Sequence, residues 1–133
     1  MPGYGTAIRN GRLNAALTII GSAAKRQIYG TPRPATGGAV GAAVKLSEHV
    51  CGSPFAPAAS GGVQTANAIA AGVGLATGTA VWARLVTSAD VFVADYSAGL
   101  AGTSQEVSLT GTATIATGQT VNVSSFTRTA GNP

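Results

Sequence analysis

GTAVWARLVTSADVFVADYSA, residues 78–98, holds the single Trp of the chain and its longest run of β-branched and aromatic residues. Thr79 to Thr87 reads as a strand, Ser88-Ala89-Asp90 as a tight connection, and Val91 to Tyr96 as a second strand. Alternation puts Val81, Ala83 and Leu85 on one face of the first strand, with Ala80, Trp82, Arg84 and Val86 on the other. On the second, Val91, Val93 and Asp95 oppose Phe92, Ala94 and Tyr96. Neither face is clearly polar, so the hairpin needs cover on both sides, as in a sandwich or at an assembly interface. Trp82 and Phe92 are predicted to be buried in it, with Phe126 a third core aromatic.

The 133 residues suit one domain, 1–133, that buries roughly two-thirds of its unfolded surface. Ala, Gly and Thr make 61 of them, and charged residues are 9% against a usual ~25%. No apolar run approaches the ~20 residues of a membrane-spanning helix, so no membrane partner is expected. Val, Ile and Leu are too frequent for a disordered chain. What remains is a folded protein with a surface of Thr, Ser, Gly and Ala, which suits a subunit packed against neighbours.

Net charge is +4. Five of the eight basic residues, Arg9, Arg12, Lys25, Arg26 and Arg33, lie in the first quarter of the chain. Read functionally, they form a basic region that docks on an acidic partner; read structurally, they are a solvated helix face and adjoining loop. Without consecutive basic residues or interleaved aromatics, direct nucleic-acid binding is not expected. Met1 to Gly5 offers neither a basic flank nor an apolar segment, so no signal peptide is read. The single Cys51 excludes an intrachain disulfide.

Along the chain, residues 1–5 form a flexible arm. Thr6 reads as the N-cap of a helix within 6–20, stopped by Gly21, with Ile8, Arg12, Ala15, Ala16, Ile19 and Ile20 at helical spacing. Strands are expected over Lys25–Tyr29, Ala43–Val50, Val63–Ile69, Gln105–Leu109, Thr112–Ile115 and Gln119–Arg128. Pro32 and Pro34 stiffen one loop, Phe55 anchors another, and Ala70 to Thr77 is a Gly-rich link. Strands at 8–12-residue spacing with Gly-rich turns imply a mainly β fold. The expected architecture is an antiparallel β-sandwich or jelly roll over 25–129 with one short N-terminal helix.

Candidate chemistry is sparse. His49 and Cys51 share a strand face, but zinc takes three or four protein ligands and the chain has no second His or Cys. The acids are Glu48, Asp90, Asp95 and Glu106. Asp90 and Asp95 fall on opposite faces, unlike the paired carboxylates of glycosidases. Gly72-x-Gly74 with Gly78 lacks dinucleotide-motif spacing, and no phosphate loop or nucleophile elbow is present. Asn122-Val123-Ser124 matches a glycosylation acceptor by chance. These readings predict no catalytic, cofactor or metal residues and no enzyme.

The residues also carry a resemblance. Ala7-Ile8-Arg9-Asn10-Gly11-Arg12-Leu13 precedes Ile28-Tyr29-Gly30-Thr31-Pro32-Arg33-Pro34-Ala35. Residues 60–69 (SGGVQTANAI), 78–84 (GTAVWAR) and 121–129 (VNVSSFTRT) follow. The succession, over nearly the whole chain, resembles small structural proteins of tailed double-stranded-DNA phages, above all capsid cement (decoration) proteins. Ala83 stands where related chains often have an aromatic after Trp. The resemblance implies a jelly-roll homodimer on the outer capsid surface of a virion, bound to the major capsid protein and without catalytic residues. Arg9, Arg12, Lys25, Arg26 and Arg33 are then the capsid-contact candidates. A tail or head–tail junction protein is the alternative; a carbohydrate-binding host-attachment module is a third, short of the aromatic platform it needs.

Overall fold

The computed structural model of the protein describes residues 3–100, 107–123 and 127–130. Its elements are α1 (Thr6–Ile20), β1 (Lys25–Tyr29), β2 (Lys45–Val50), β3 (Val63–Thr65), β4 (Gly72–Val73) and β5 (Gly78–Thr79), followed by β6 (Trp82–Val86) and β7 (Phe92–Leu100). Four short strands complete it: β8 (Val107–Leu109), β9 (Thr114–Ile115), β10 (Thr120–Val121) and β11 (Thr127–Thr129). The fold is mainly β and antiparallel-rich with one N-terminal helix. A five-stranded sheet runs β2-β1-β6-β7-β8, and three two-stranded ladders pair β10 with β4, β11 with β3 and β5 with β9. The pairings of the described residues trace no jelly-roll strand order.

The core lies between the large sheet and the ladders. Ile28, Leu46, Ala83, Leu85, Ala98, Val107 and Leu109 come from the sheet, Ile115 and Val121 from the ladders, and Ile20 from the helix. Phe55 anchors its loop in this core at 1% exposure, as its sequence context predicts. The opposite face of the sheet is covered by the loop between β1 and β2, where Ala43 and Val40 pack against Tyr29 and Trp82. All five residues of β6 are therefore buried. The two-sided cover expected from its unpolarised sequence is present, half of it supplied by irregular chain.

The predicted Thr79–Thr87 strand is two strands. Ala80 N–H donates to Ala113 O (2.8 Å) and Val81 N–H to Tyr29 O (2.9 Å), so the backbone crosses from one sheet to the other between adjacent residues. Such a crossing is how a sandwich turns a corner, and it breaks the expected alternation: Ala80 joins the main core with Ala83 and Leu85, while Val81 packs with Trp82. A second change is a bulge. Leu85 pairs with Ala94 but Val86 with Phe92, skipping Val93. Val93 consequently packs toward the core. Asp95, predicted to share its face, instead meets Arg84 on the loop-covered side.

Other boundaries also move. β7 continues through Ala98–Leu100, read as loop, where it pairs in parallel with β8. Small buried Ala98 and Gly99 permit that close pairing. The expected strand over Gln119–Arg128 is divided, with Thr120–Val121 and Thr127–Thr129 in separate ladders. Thr6 is helical, Gly5 takes the N-cap position, and no side chain caps it. Gly21, at φ 69°, closes the helix by donating to Leu17 O. Of the expected stripe, Ile20 is buried, but Ile8 and Ile19 are in water, at 55% and 68% exposure. The helix docks through Ile20 together with Leu13 and Leu17 and through polar bonds. Asn10 Oδ1 accepts from Gly62 N–H (2.8 Å) and Asn14 Oδ1 from Ala59 N–H (2.9 Å). These two amides choose the face that hydropathy alone would misplace.

Candidate functional site

The loop-covered face of the large sheet carries the most elaborate polar arrangement. Alternation on β6 and the bulge on β7 bring Arg84 and Asp95 opposite each other. Their contact is bidentate, Nε to Oδ1 at 2.7 Å and Nη2 to Oδ2 at 2.9 Å. Both also hold the covering loop: Asp95 Oδ2 accepts from Gly37 N–H (3.0 Å), and Arg84 Nη2 donates to Gly38 O (2.9 Å). Burial pushes the Asp95 carboxyl up, but the Arg84 and Gly37 hydrogen bonds outweigh it and hold it below the usual range. The guanidinium spans the Trp82 and Phe92 rings, 5.2 and 5.1 Å from their centroids.

Beside it, Glu48 accepts from Lys45 Nζ and Gln27 Nε2, each at 3.0 Å, and Gln27 Oε1 accepts from the Tyr29 hydroxyl (3.1 Å). Burial raises the Glu48 carboxyl, yet these two hydrogen bonds bring it below its ordinary value. The third described acid, Asp90, sits in the β6–β7 turn at φ 63° and meets Lys25 at 2.6 Å. All three described carboxylates are thus paired with cations of their own chain. Asp90 and Asp95 serve different cations, as their predicted separation requires.

The five basic contact candidates do not form one surface. Arg26 is fully buried: on β1 it shares a face with Ile28, which points into the core. Its assignment as a surface contact is corrected, because strand alternation carries it inward. Burial lowers its pKa, partly offset by Cys51 and Tyr96. Lys25 is occupied by Asp90. Arg9 is half-buried and donates from Nε to Ala130 O (3.0 Å), tying the helix to the end of β11. Arg12 and Arg33 are exposed, Arg12 over the Tyr4 ring at 5.5 Å.

Trp82 is wholly enclosed and donates from Nε1 to Gly30 O (2.9 Å). Phe92 is 40% exposed, contrary to the buried role predicted for it, because the bulge turns it onto the rim beside Arg84 and Gly37. Phe126 lies outside the described residues. His49 and Cys51 are both buried. The imidazole bonds Ser47 Oγ and Ala70 O, each at 3.0 Å, and burial pushes the Cys51 thiol up. No group of three His, Cys, Asp or Glu side chains that could hold a metal occurs among the described residues.

The outward apolar feature is the strap that lies along β2, read from sequence as a Gly-rich link. Ala70 N–H donates to Val50 O (3.2 Å) and Leu75 N–H to Leu46 O (2.8 Å). Gly72 and Gly74 point inward, where a Cβ would collide with Glu48 O and Ala116 O respectively. Val73 and Leu75 therefore point out, at 57% and 53% exposure. Beyond them a cleft of about 320 Å³ opens between Val44, Leu46, Thr77, Gly78 and Thr79, with Val44 itself 54% exposed. The strict Gly-Val-Gly-Leu alternation of residues 72–75 was the available sequence signal. No helix among the described residues is long and apolar enough to cross a membrane. No protein-family model matches the chain, and neither a curated protein nor a solved structure matches it either.

Proposed function

We propose that the protein is a non-enzymatic virion subunit, a cement protein that binds the outside of a phage capsid and bridges major capsid subunits. The resemblance of residues 7–13, 28–35, 60–69, 78–84 and 121–129 motivates the reading. The observation that carries it is how the ionisable groups are used. Asp90, Asp95 and Glu48 are each engaged by a cation of the same chain, and the one His is enclosed by two hydrogen bonds. Charge here fastens loops to a sheet, while aliphatic Val44, Val73 and Leu75 face outward on backbone fixed by hydrogen bonds. That is the economy of an assembly part. A rigid domain spanning a seam adds contact area across it, and a two-fold copy of itself raises the effective concentration of the second contact.

Quantifying the chain in purified virions and testing its co-sedimentation with shells that lack it would decide the matter. A copy number on the scale of the shell subunits, with saturable shell binding, is expected. A number matching tail rings would move the protein to the tail or head–tail junction. Absence from virions would end the proposal.

A further inference from the structure

The strap at residues 70–75 is held to β2 by three polar contacts of different kinds. Two are backbone bonds, Ala70 N–H to Val50 O and Leu75 N–H to Leu46 O. The third belongs to His49, whose Nδ1 lies 3.0 Å from Ala70 O. A carbonyl oxygen only accepts, so Nδ1 must carry the proton; in the neutral ring Nε2 is then an acceptor and takes the Ser47 hydroxyl proton at 3.0 Å. The imidazole is fully buried. Gly72 lies against it, a Cβ there falling 3.0 Å from His49 Cε1. Directly across the sheet, in register with His49, stands the equally buried Arg26.

We propose that His49 is an acid-sensitive latch, its protonation releasing residues 70–75 from the edge of β2 while β1, β2, β6 and β7 stay paired. A second ring proton would convert Nε2 from acceptor to donor, and the Ser47 hydroxyl would have to turn and accept from it. The second proton would also place a positive charge beside Arg26 in a site closed to water. Of the charged groups near His49, Arg26 on β1 opposes that charge, and Glu48, next to it on β2 but on the other face, favours it. Cys51 offers a thiol whose burial keeps it neutral. The strap, Ala-Ala-Gly-Val-Gly-Leu, brings no ionisable side chain. Burial is the largest influence and, with Arg26, holds the ring below its ordinary pKa against the pull of Ala70 O. Lifting the strap would expose the ring to water, so the open form takes the proton more readily. Above about pH 6.5 both forms are neutral and the latch holds. Below it, the open-to-closed ratio rises by up to about tenfold per pH unit until the closed form itself protonates.

Amide hydrogen exchange followed by NMR tests this, read as protection factors so that intrinsic exchange chemistry is removed. From about pH 7 to about pH 5, protection at the Ala70 and Leu75 amides should fall, by up to about tenfold per pH unit below about pH 6.5. The amides pairing β1 with β6 should be unchanged. Unchanged strap protection overturns the proposal, and so does an equal loss everywhere, which would be global unfolding. In His49→Gln the strap's pH dependence should vanish; a variant that keeps it shows that another group titrates. Should that variant fail to fold, the wild-type ring decides, since the chain has one His. Titration with an ordinary midpoint while the strap remains protected also overturns the latch.

Discussion

Tyr29 lies flat against Trp82, ring centroids 4.5 Å apart and planes 14° from parallel. The two are cross-strand partners in the β1–β6 register, so the stack is where sheet pairing and the covering loop meet. Trp82→Ala removes the stack, the indole N–H bond to Gly30 O and the floor on which Val40 and Ala43 rest. The expected loss is about 3–5 kcal/mol. Urea unfolding followed by circular dichroism measures it; a midpoint close to wild type would refute the central role given to this side chain.

Asp95→Asn tests the clamp on the loop. The Asp95 side chain is fully enclosed, while that of Arg84 keeps 10% exposure. A loss of about 1–3 kcal/mol at neutral pH is expected, between the values for exposed and enclosed pairs. The Asp95 carboxyl is held below its ordinary value, so its contribution is complete above about pH 4 and disappears as pH falls through the folded-state value. Denaturation midpoints taken from about pH 5 downward should converge for wild type and variant.

Glycines 11 and 74 should respond in opposite directions. Gly11 sits in the exposed middle of α1, and an added Cβ meets nothing within 4 Å. Gly11→Ala should therefore raise stability by about 0.5–1 kcal/mol. Gly74→Ala would drive a methyl group into the Ala116 carbonyl oxygen, costing about 1–3 kcal/mol. Paired thermal melts read both signs at once.

For shell attachment, the useful charge reversal is Arg12→Glu with Arg33→Glu, since both side chains are exposed. Exposed pairs contribute about 0.2–1 kcal/mol each, so the double variant should keep the wild-type melt and lose shell binding by about two- to thirtyfold at low salt. The deficit should shrink as salt rises. Co-sedimentation at two ionic strengths measures it. Equal binding at both would assign attachment to the uncharged surface around Val73 and Leu75.

Much of the fold was legible where one pattern served one partner. Lys25–Tyr29 is a strand with the boundaries its sequence suggests, and Gly21 ends the helix where its conformational freedom is needed. Patterns failed where the chain changed partners. Nothing in the alternation of Thr79–Thr87 announces a crossing at Ala80–Val81, because both sheets ask for the same period. A one-residue bulge at Val93 was equally silent, and it cost the placement of Phe92. Arg26 departs from expectation for a different reason: its charge points to the surface, whereas its spacing from Ile28 puts it on the core side.

The crossing at Ala80–Val81 has a mechanical consequence. Layers held together by side-chain packing alone yield by sliding, one sheet shearing over the other. Here β5 in one layer and β6 in the other are successive lengths of one backbone, joined by two residues whose N–H groups are committed to opposite layers. Shear would have to break the Ala80–Ala113 or Val81–Tyr29 hydrogen bond before any slip began. Load entering through either layer is passed to the other along covalent bonds.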